Sequence, residues 1–113
     1  MNYKDGVYEE VIVFRKGIRM KLTPSKEIQH AMAVADNLSR SVAGKEAVVT
    51  SILDGKHSKE SKHYDGNAFD LRTYIYTTEQ INDLIELLRN ELGRDYDVVL
   101  EGDHIHIEYD PKN

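Results

Sequence analysis

Asp97-Val98-Val99-Leu100-Glu101-Gly102-Asp103-His104-Ile105-His106-Ile107-Glu108-Tyr109 is the stretch from which the fold is read. Two alternating runs flank Gly102-Asp103, and a two-residue loop led by glycine is a strong hairpin signal. In that register Glu101 pairs with His104 and Val99 with His106. Side chains alternate along a strand, so His104 and His106 share one face with Glu101 beside them, while Ile105 and Ile107 point into the core.

Upstream of this hairpin, Thr77-Thr78-Glu79-Gln80 offers a capping box. Ile81, Leu84, Ile85, Leu88 and Leu92 then recur at helical spacing until Gly93 stops the run. Ala68–Tyr76 has β character. Leu53 to Asn67 is polar and broken by Gly55 and Gly66, so no regular element is expected there. Glu46–Ser51 reads as a strand. Before it, Thr23 is the expected N-cap and Pro24 the first residue of a helix whose apolar face is Ile28, Ala31, Met32, Ala35, Leu38 and Val42, ended by Gly44. His30 lies off that stripe and reads as a solvated surface histidine. Tyr8–Phe14 and Ile18–Leu22 read as two further β segments around Arg15-Lys16-Gly17. Strands and helices segregate instead of alternating strictly. The expected class is therefore α+β, a mainly antiparallel sheet with two principal helices in a single domain spanning 1–113.

Composition narrows the chemistry. The 113 residues hold no cysteine, so disulfides and thiolate metal sites are excluded, and a soft metal ion must rely on His, Asp or Glu. Fifteen basic against twenty acidic residues give a net charge of −5, with no basic stripe of the kind that nucleic acid or an anionic membrane requires. No partner of either kind is expected. The only apolar run near the N-terminus, Val11–Phe14, is too short for a secretory signal, and nothing approaches the ~20 apolar residues that span a bilayer. Synthesis in the cytoplasm without a signal peptide is the expectation.

Four of the five histidines fall into two clusters: His57 and His63 in the broken segment, His104 and His106 on the last strand. Zinc needs imidazole nitrogens or carboxylate oxygens at about 2.0–2.2 Å, converging from separate segments. Gly66 and Asn67 permit a reversal after His63, Asp70 then opens a strand, and an antiparallel neighbour carrying His106 would bring the two together. Three protein ligands leave a fourth position for water. Glu101 is placed to take that water's proton, and His104 to hydrogen-bond a developing oxyanion. Taken alone, a His-x-His pair on a strand is more often a surface feature than a metal site. Glu101 beside His104 is equally readable as a cross-strand charged pair, and His57 as a solvated loop residue.

Two stretches together carry more. Ser61-Lys62-His63-Tyr64-Asp65-Gly66-Asn67-Ala68-Phe69-Asp70 resembles the Ser-x-His-x-x-Gly-x-Ala-x-Asp signature of the hedgehog/D-alanyl-D-alanine peptidase family, in its small bacteriophage-type members. Glu101-Gly102-Asp103-His104-Ile105-His106 resembles the family's closing Glu…His-x-His strand. The resemblance covers Thr23 to Pro111 and leaves Met1–Leu22 outside. It implies a hedgehog/DD-peptidase-like fold with zinc held by His63, Asp70 and His106. It makes Glu101 the general base and acid, with Asp103 as competitor, and His104 the transition-state stabiliser; it places His57 and Ser61 against substrate. The implied activity is hydrolysis of amide bonds in peptidoglycan stem peptides, as a D,D-carboxypeptidase or an endolysin-type endopeptidase acting at the bacterial cell wall. One departure stands out: many cell-wall members carry an arginine in a Ser-Gly-Tyr-Arg-like stretch, whereas here Ser51 is followed by Ile52-Leu53-Asp54. Two other functions fit the same text: a zinc-binding module without useful turnover, and a metal-free interaction protein of a phage particle.

Overall fold

The computed structural model describes residues 13–14, 24–54 and 66–112. Its elements in chain order are β1 (Val13–Phe14), α1 (Lys26–Ala43), β2 (Val48–Asp54), β3 (Gly66–Arg72), α2 (Thr78–Leu92), β4 (Tyr96–Glu101) and β5 (His104–Tyr109). They form one five-stranded sheet in the order β1-β2-β3-β5-β4, antiparallel throughout except for the β1–β2 pair. This is the α+β architecture that the hydrophobic patterning implies. The expected strand Ile18–Leu22, residues 8–12 of the expected first strand and the Thr23 cap lie outside the described residues. Among the described residues no helix is long and apolar enough to cross a membrane.

Both helices pack on one face of the sheet. Ile28, Met32 and Ala35 of α1 and Leu84, Leu88 and Leu92 of α2 share one cluster with Phe69, Leu71, Val98, Ile105 and Ile107. Burying each large aliphatic or aromatic side chain stabilises the fold by roughly 1.5–3 kcal/mol. Phe69 and Leu71 of β3 and Ile105 and Ile107 of β5 are fully buried, and the two strands lie side by side inside the sheet, so their inward faces form the centre of the core.

The helix ends follow local chemistry. Thr77 and Gln80 exchange the two bonds of a capping box, as the sequence suggests. α1 starts two residues later than the proline rule implies. Ser25 is its N-cap, its hydroxyl accepting from the Ile28 N–H, while Pro24 forms a bridge with Gly66 and the Ser25 N–H donates to the Gly66 carbonyl at 3.0 Å. Pro24 is therefore held as extended chain against the start of β3. β3 ends at Arg72, because Thr73 turns away to donate from both its N–H and its hydroxyl to the Asp103 carbonyl. β2 runs on to Asp54 and β3 begins at Gly66, so both reach into the segment read as irregular.

α1 buries two polar residues that the apolar stripe does not anticipate. Asp36 and Ser39 are 1% and 0% exposed, whereas Leu38 and Val42 are only half-buried. Asp36 accepts from the Ala47 N–H at 3.0 Å and from Arg40 Nε at 2.9 Å. Ser39 donates to the Lys45 carbonyl and shares a 2.6 Å hydrogen bond with the Tyr76 hydroxyl. These contacts tie the end of α1 to the entry of β2 and to the β3–α2 connection. Gly44 reverses the chain between them at φ 67°, a left-handed conformation that glycine adopts without strain.

Two outcomes follow from these contacts. Asp36→Ala strands a buried N–H and is expected to cost about 3 kcal/mol in urea unfolding, with Asp36→Asn costing less because one acceptor oxygen remains. Tyr96 donates its hydroxyl to the Glu27 carbonyl, and burial, together with the charges of Glu27, Tyr109 and Asp95, pushes its pKa up to about 12. A folded-state pKa above the unfolded value of about 10 means stability that is complete below pH 10 and lost as pH rises towards 12. Tyr96→Phe should flatten that alkaline loss in a series of unfolding midpoints.

Candidate functional site

The face of the sheet opposite the helices gathers the chain's polar strand residues. In the β3–β5 register Asp70 stands directly across from His106 and Arg72 from His104. In the β4–β5 hairpin Val99 is across from His106 and Glu101 from His104, the pairing read from the Gly102-Asp103 loop. Gly102 closes that loop at φ 60°. Since Phe69, Leu71, Ile105 and Ile107 occupy the helix side, alternation puts Asp70, Arg72, His104, His106 and Glu108 together on the other.

His106 lies between two carboxylates. Its Nδ1–H donates to Asp70 Oδ1 at 2.9 Å and its Nε2–H to Glu108 Oε1 at 3.1 Å. Glu108 is 4% exposed, a deeply buried carboxylate. The hydrogen bond to Asp70 does most to raise the His106 pKa to about 9. The hydrogen bond to Glu108 and the charges of Asp70 and Glu101 add to it, against the opposing effect of burial. His104 is the second imidazole. Its Nε2 is 3.4 Å from Glu101 Oε1 and 3.7 Å from Asp70 Oδ2, and its Nδ1 is 3.3 Å from Asp103 Oδ1. Burial pulls its pKa down, but Asp103, Asp70 and Glu101 together raise it above the usual imidazole value.

The two acids that compete for the role of base differ in setting. The Glu101 side chain is 51% exposed and leans towards His104 on the site face. Asp103 sits in the turn with its side chain 92% exposed and meets only the far nitrogen of that ring. Glu101 is the one beside the Asp70–His106 pair.

β2 borders the site through an irregularity. Val49 pairs with Leu71 but Ser51 with Asp70, so one extra residue is accommodated around Thr50. The bulge lets Val49 and Ile52, three apart, both be buried and turns Ser51 towards the Asp70 side. The Thr50 hydroxyl donates to the Asp70 carbonyl.

Among the described residues, two clefts border this centre. The larger, about 650 Å³, lies along β4 and is lined by Arg89, Arg94, Val99, Glu101, His106 and Glu108, among others. The smaller, about 360 Å³, lies on the β2–β3 side and is lined by Thr50, Ser51, Asp70, Arg72, Tyr74 and His104, with Asp103 at its rim.

The residues singled out from the sequence thus divide. Asp70, Glu101, His104 and His106 are brought together; His57, Ser61 and His63 lie outside the described residues. Among the described residues no group of three His, Cys, Asp or Glu side chains is arranged to hold a metal ion. Asp70 Oδ1 and His106 Nδ1 are 2.9 Å apart, the separation of a hydrogen bond, whereas donors on a tetrahedral ion with bonds of about 2.0–2.2 Å stand roughly 3.3–3.6 Å apart. Glu108 and Arg72 were missed in the sequence, although each sits two residues beyond a ligand candidate and so shares its face.

Comparison with protein-family models, with curated proteins and with solved structures finds no match to this chain.

The His106 environment is directly measurable. In the metal-free protein its ring should titrate by NMR near pH 9, and Asp70→Asn should bring the midpoint down towards the ordinary value by removing the strongest raising contact. A wild-type midpoint close to 6.5 would mean that the two carboxylates do not grip the ring.

Proposed function

We propose that this chain is a zinc peptidase of the hedgehog/D-alanyl-D-alanine type, acting on the stem peptides of peptidoglycan. The observation that carries the reading is the 2.9 Å approach of Asp70 Oδ1 to His106 Nδ1 on the half-buried sheet face opposite the helices, with Glu101 and His104 alongside. Asp70 and His106, with His63 as third ligand, would hold the ion. Bound zinc would supply an acidified water and an electrophilic contact for the substrate carbonyl.

The chain's own groups do the rest. The Glu101 carboxylate accepts the proton of the attacking water and passes it to the leaving amine nitrogen. His104 Nε2, poised between Glu101 and Asp70, donates a hydrogen bond to the oxyanion that forms on the attacked carbonyl. Glu108 accepts from His106 Nε2–H and so holds the ring with Nδ1 towards Asp70, a positioning bond of the kind that metal-binding histidines depend on. A peptide laid across the strands would reach both clefts, with the scissile bond over the Asp70–His106 pair. Cleavage as a D,D-carboxypeptidase or as an endolysin-type endopeptidase is compatible with this arrangement.

A metal-free interaction protein of a phage particle is the competing reading. It is favoured by the hydrogen bonds that both His106 nitrogens make to carboxylates. A zinc-binding module without turnover lies between the two.

Zinc analysis and a muropeptide digestion followed by mass spectrometry separate the three. The peptidase should carry one zinc per chain, lose it in His63→Ala, and in Glu101→Gln keep the metal while kcat falls by about 10²–10⁴. Retained zinc with equally inert wild type and Glu101→Gln would leave the binding module, and substoichiometric zinc throughout would leave the metal-free protein.

A further inference from the structure

The sheet ends in β4, which has no neighbour on its outer side among the described residues. Two adjacent apolar residues there stand in solvent, Val99 at 41% and Leu100 at 46% exposure. In a hairpin closed by two residues the flanking pair, here Glu101 and His104, exchanges both hydrogen bonds. Asp97, Val99 and Glu101 therefore bond to β5, and Tyr96, Val98 and Leu100 turn their N–H and C=O groups outward. Two of these outward groups are met from within the chain. The Tyr96 N–H donates to the Gly93 carbonyl at 3.2 Å. The Val98 carbonyl accepts twice from Arg89 of α2, from Nε at 3.1 Å and from Nη2 at 2.7 Å. The Val98 N–H and both backbone groups of Leu100 have no partner among the described residues.

We propose that the outer edge of β4 is a pairing surface for a second copy of this chain, and that Arg89 holds it shut by occupying the Val98 carbonyl. Charge selects the register. Two copies joined antiparallel about a two-fold axis keep their helices on the same side, so residues directly opposite share a face and the axis passes beside one residue. Centred on Asp97, that residue opposes itself; centred on Val99, Asp97 opposes Glu101 of the second copy. Like charges directly opposite are destabilising. Centred on Val98, no acid of the strand faces another, and the exposed Leu100 lies against Tyr96 of the second copy. Only Glu101 then meets an acid beyond the strand, Asp95, whose carboxylate already accepts from the Lys112 N–H. The central pair of that register exchanges its two hydrogen bonds through the Val98 carbonyls, and these are the atoms that Arg89 takes on each copy. A charged side chain at an open edge is a means by which sheets avoid pairing with one another. Here the charge comes from a helix and is placed on one atom, so withdrawing a single side chain frees the edge. Pairing of this kind does not depend on the peptidase reading.

Sedimentation equilibrium of the full chain over a concentration series into the millimolar range tests this, with amide hydrogen exchange read by NMR at the same concentrations. The chains compared are wild type, Arg89→Met, Arg89→Lys and the double variant Arg89→Met/Leu100→Lys, with unfolding midpoints as the folding control. Wild type is expected to stay monomeric. Arg89→Met, which keeps an unbranched stem without a donor, should dimerise at least about tenfold more tightly, because hydrogen bonds from a charged donor no longer compete on either copy. Exchange of the Val98 and Leu100 N–H groups should slow as its concentration rises. Arg89→Lys, with one ammonium in place of a fork, should fall between. Leu100→Lys should return Arg89→Met to the monomer. An Arg89→Met chain that folds and sediments like wild type overturns the proposal. So does association that leaves the Val98 and Leu100 N–H groups unprotected or that survives Leu100→Lys, and so does a wild type that dimerises as tightly. If Arg89→Met does not fold, Arg89→Lys decides, and sedimentation identical to wild type overturns the proposal there too.

Discussion

The register between β3 and β5 is the constraint on which both core and site depend. Phe69 and Leu71 on one strand and Ile105 and Ile107 on the other are fully buried beneath the helices. A slip by one residue would turn all of them outward and bring Asp70 and His106 into the core. The apolar face holds the strands in step, and the polar face is aligned as a consequence. Asp70 meets His106 because their hydrophobic neighbours have no other satisfactory partner.

Two kinds of carboxylate setting result, and they behave differently. Asp36 is enclosed by a backbone N–H and an arginine, and its bonds join elements that sequence separates. Its role is architectural, since it touches neither cleft. Asp70 and Glu108 instead face a histidine whose protonated form they favour, next to open space. Charges held close together at the lip of a cavity are a common arrangement where a protein must bind or react, because the groups are kept from compensating one another completely.

Most of the fold was legible because it follows short-range rules. The last hairpin, the capping box at Thr77 and the apolar stripe of α2 need only alternation, turn chemistry and helical spacing. Legibility failed where distant contacts decide. Pro24 looks like a helix start until its bridge to Gly66 is known, and Asp36 and Ser39 look like surface residues until Ala47 and Tyr76 are placed against them. The bulge in β2 was present in the text as Val49 and Ile52 three apart, but that spacing fits a helix turn as well as a kinked strand. For the site, the pairing of Glu101 with His104 was readable from the hairpin alone. The direct pairing of Asp70 with His106 needed the order of the sheet, and the grip of Glu108 on His106 needed its depth.

That order has a consequence for how the molecule is made. β5, the last strand in chain order, lies between β3 and β4, both of which leave the ribosome before it. β3 and β4 have no pairing of their own, so until residues 104–109 emerge the nascent polypeptide carries two unsatisfied strand edges and a half-covered pair of helices. Joining β3 and β4 into one sheet therefore waits on residues 104–109, and until they are in place both strands present an open edge of the kind that invites pairing with another chain.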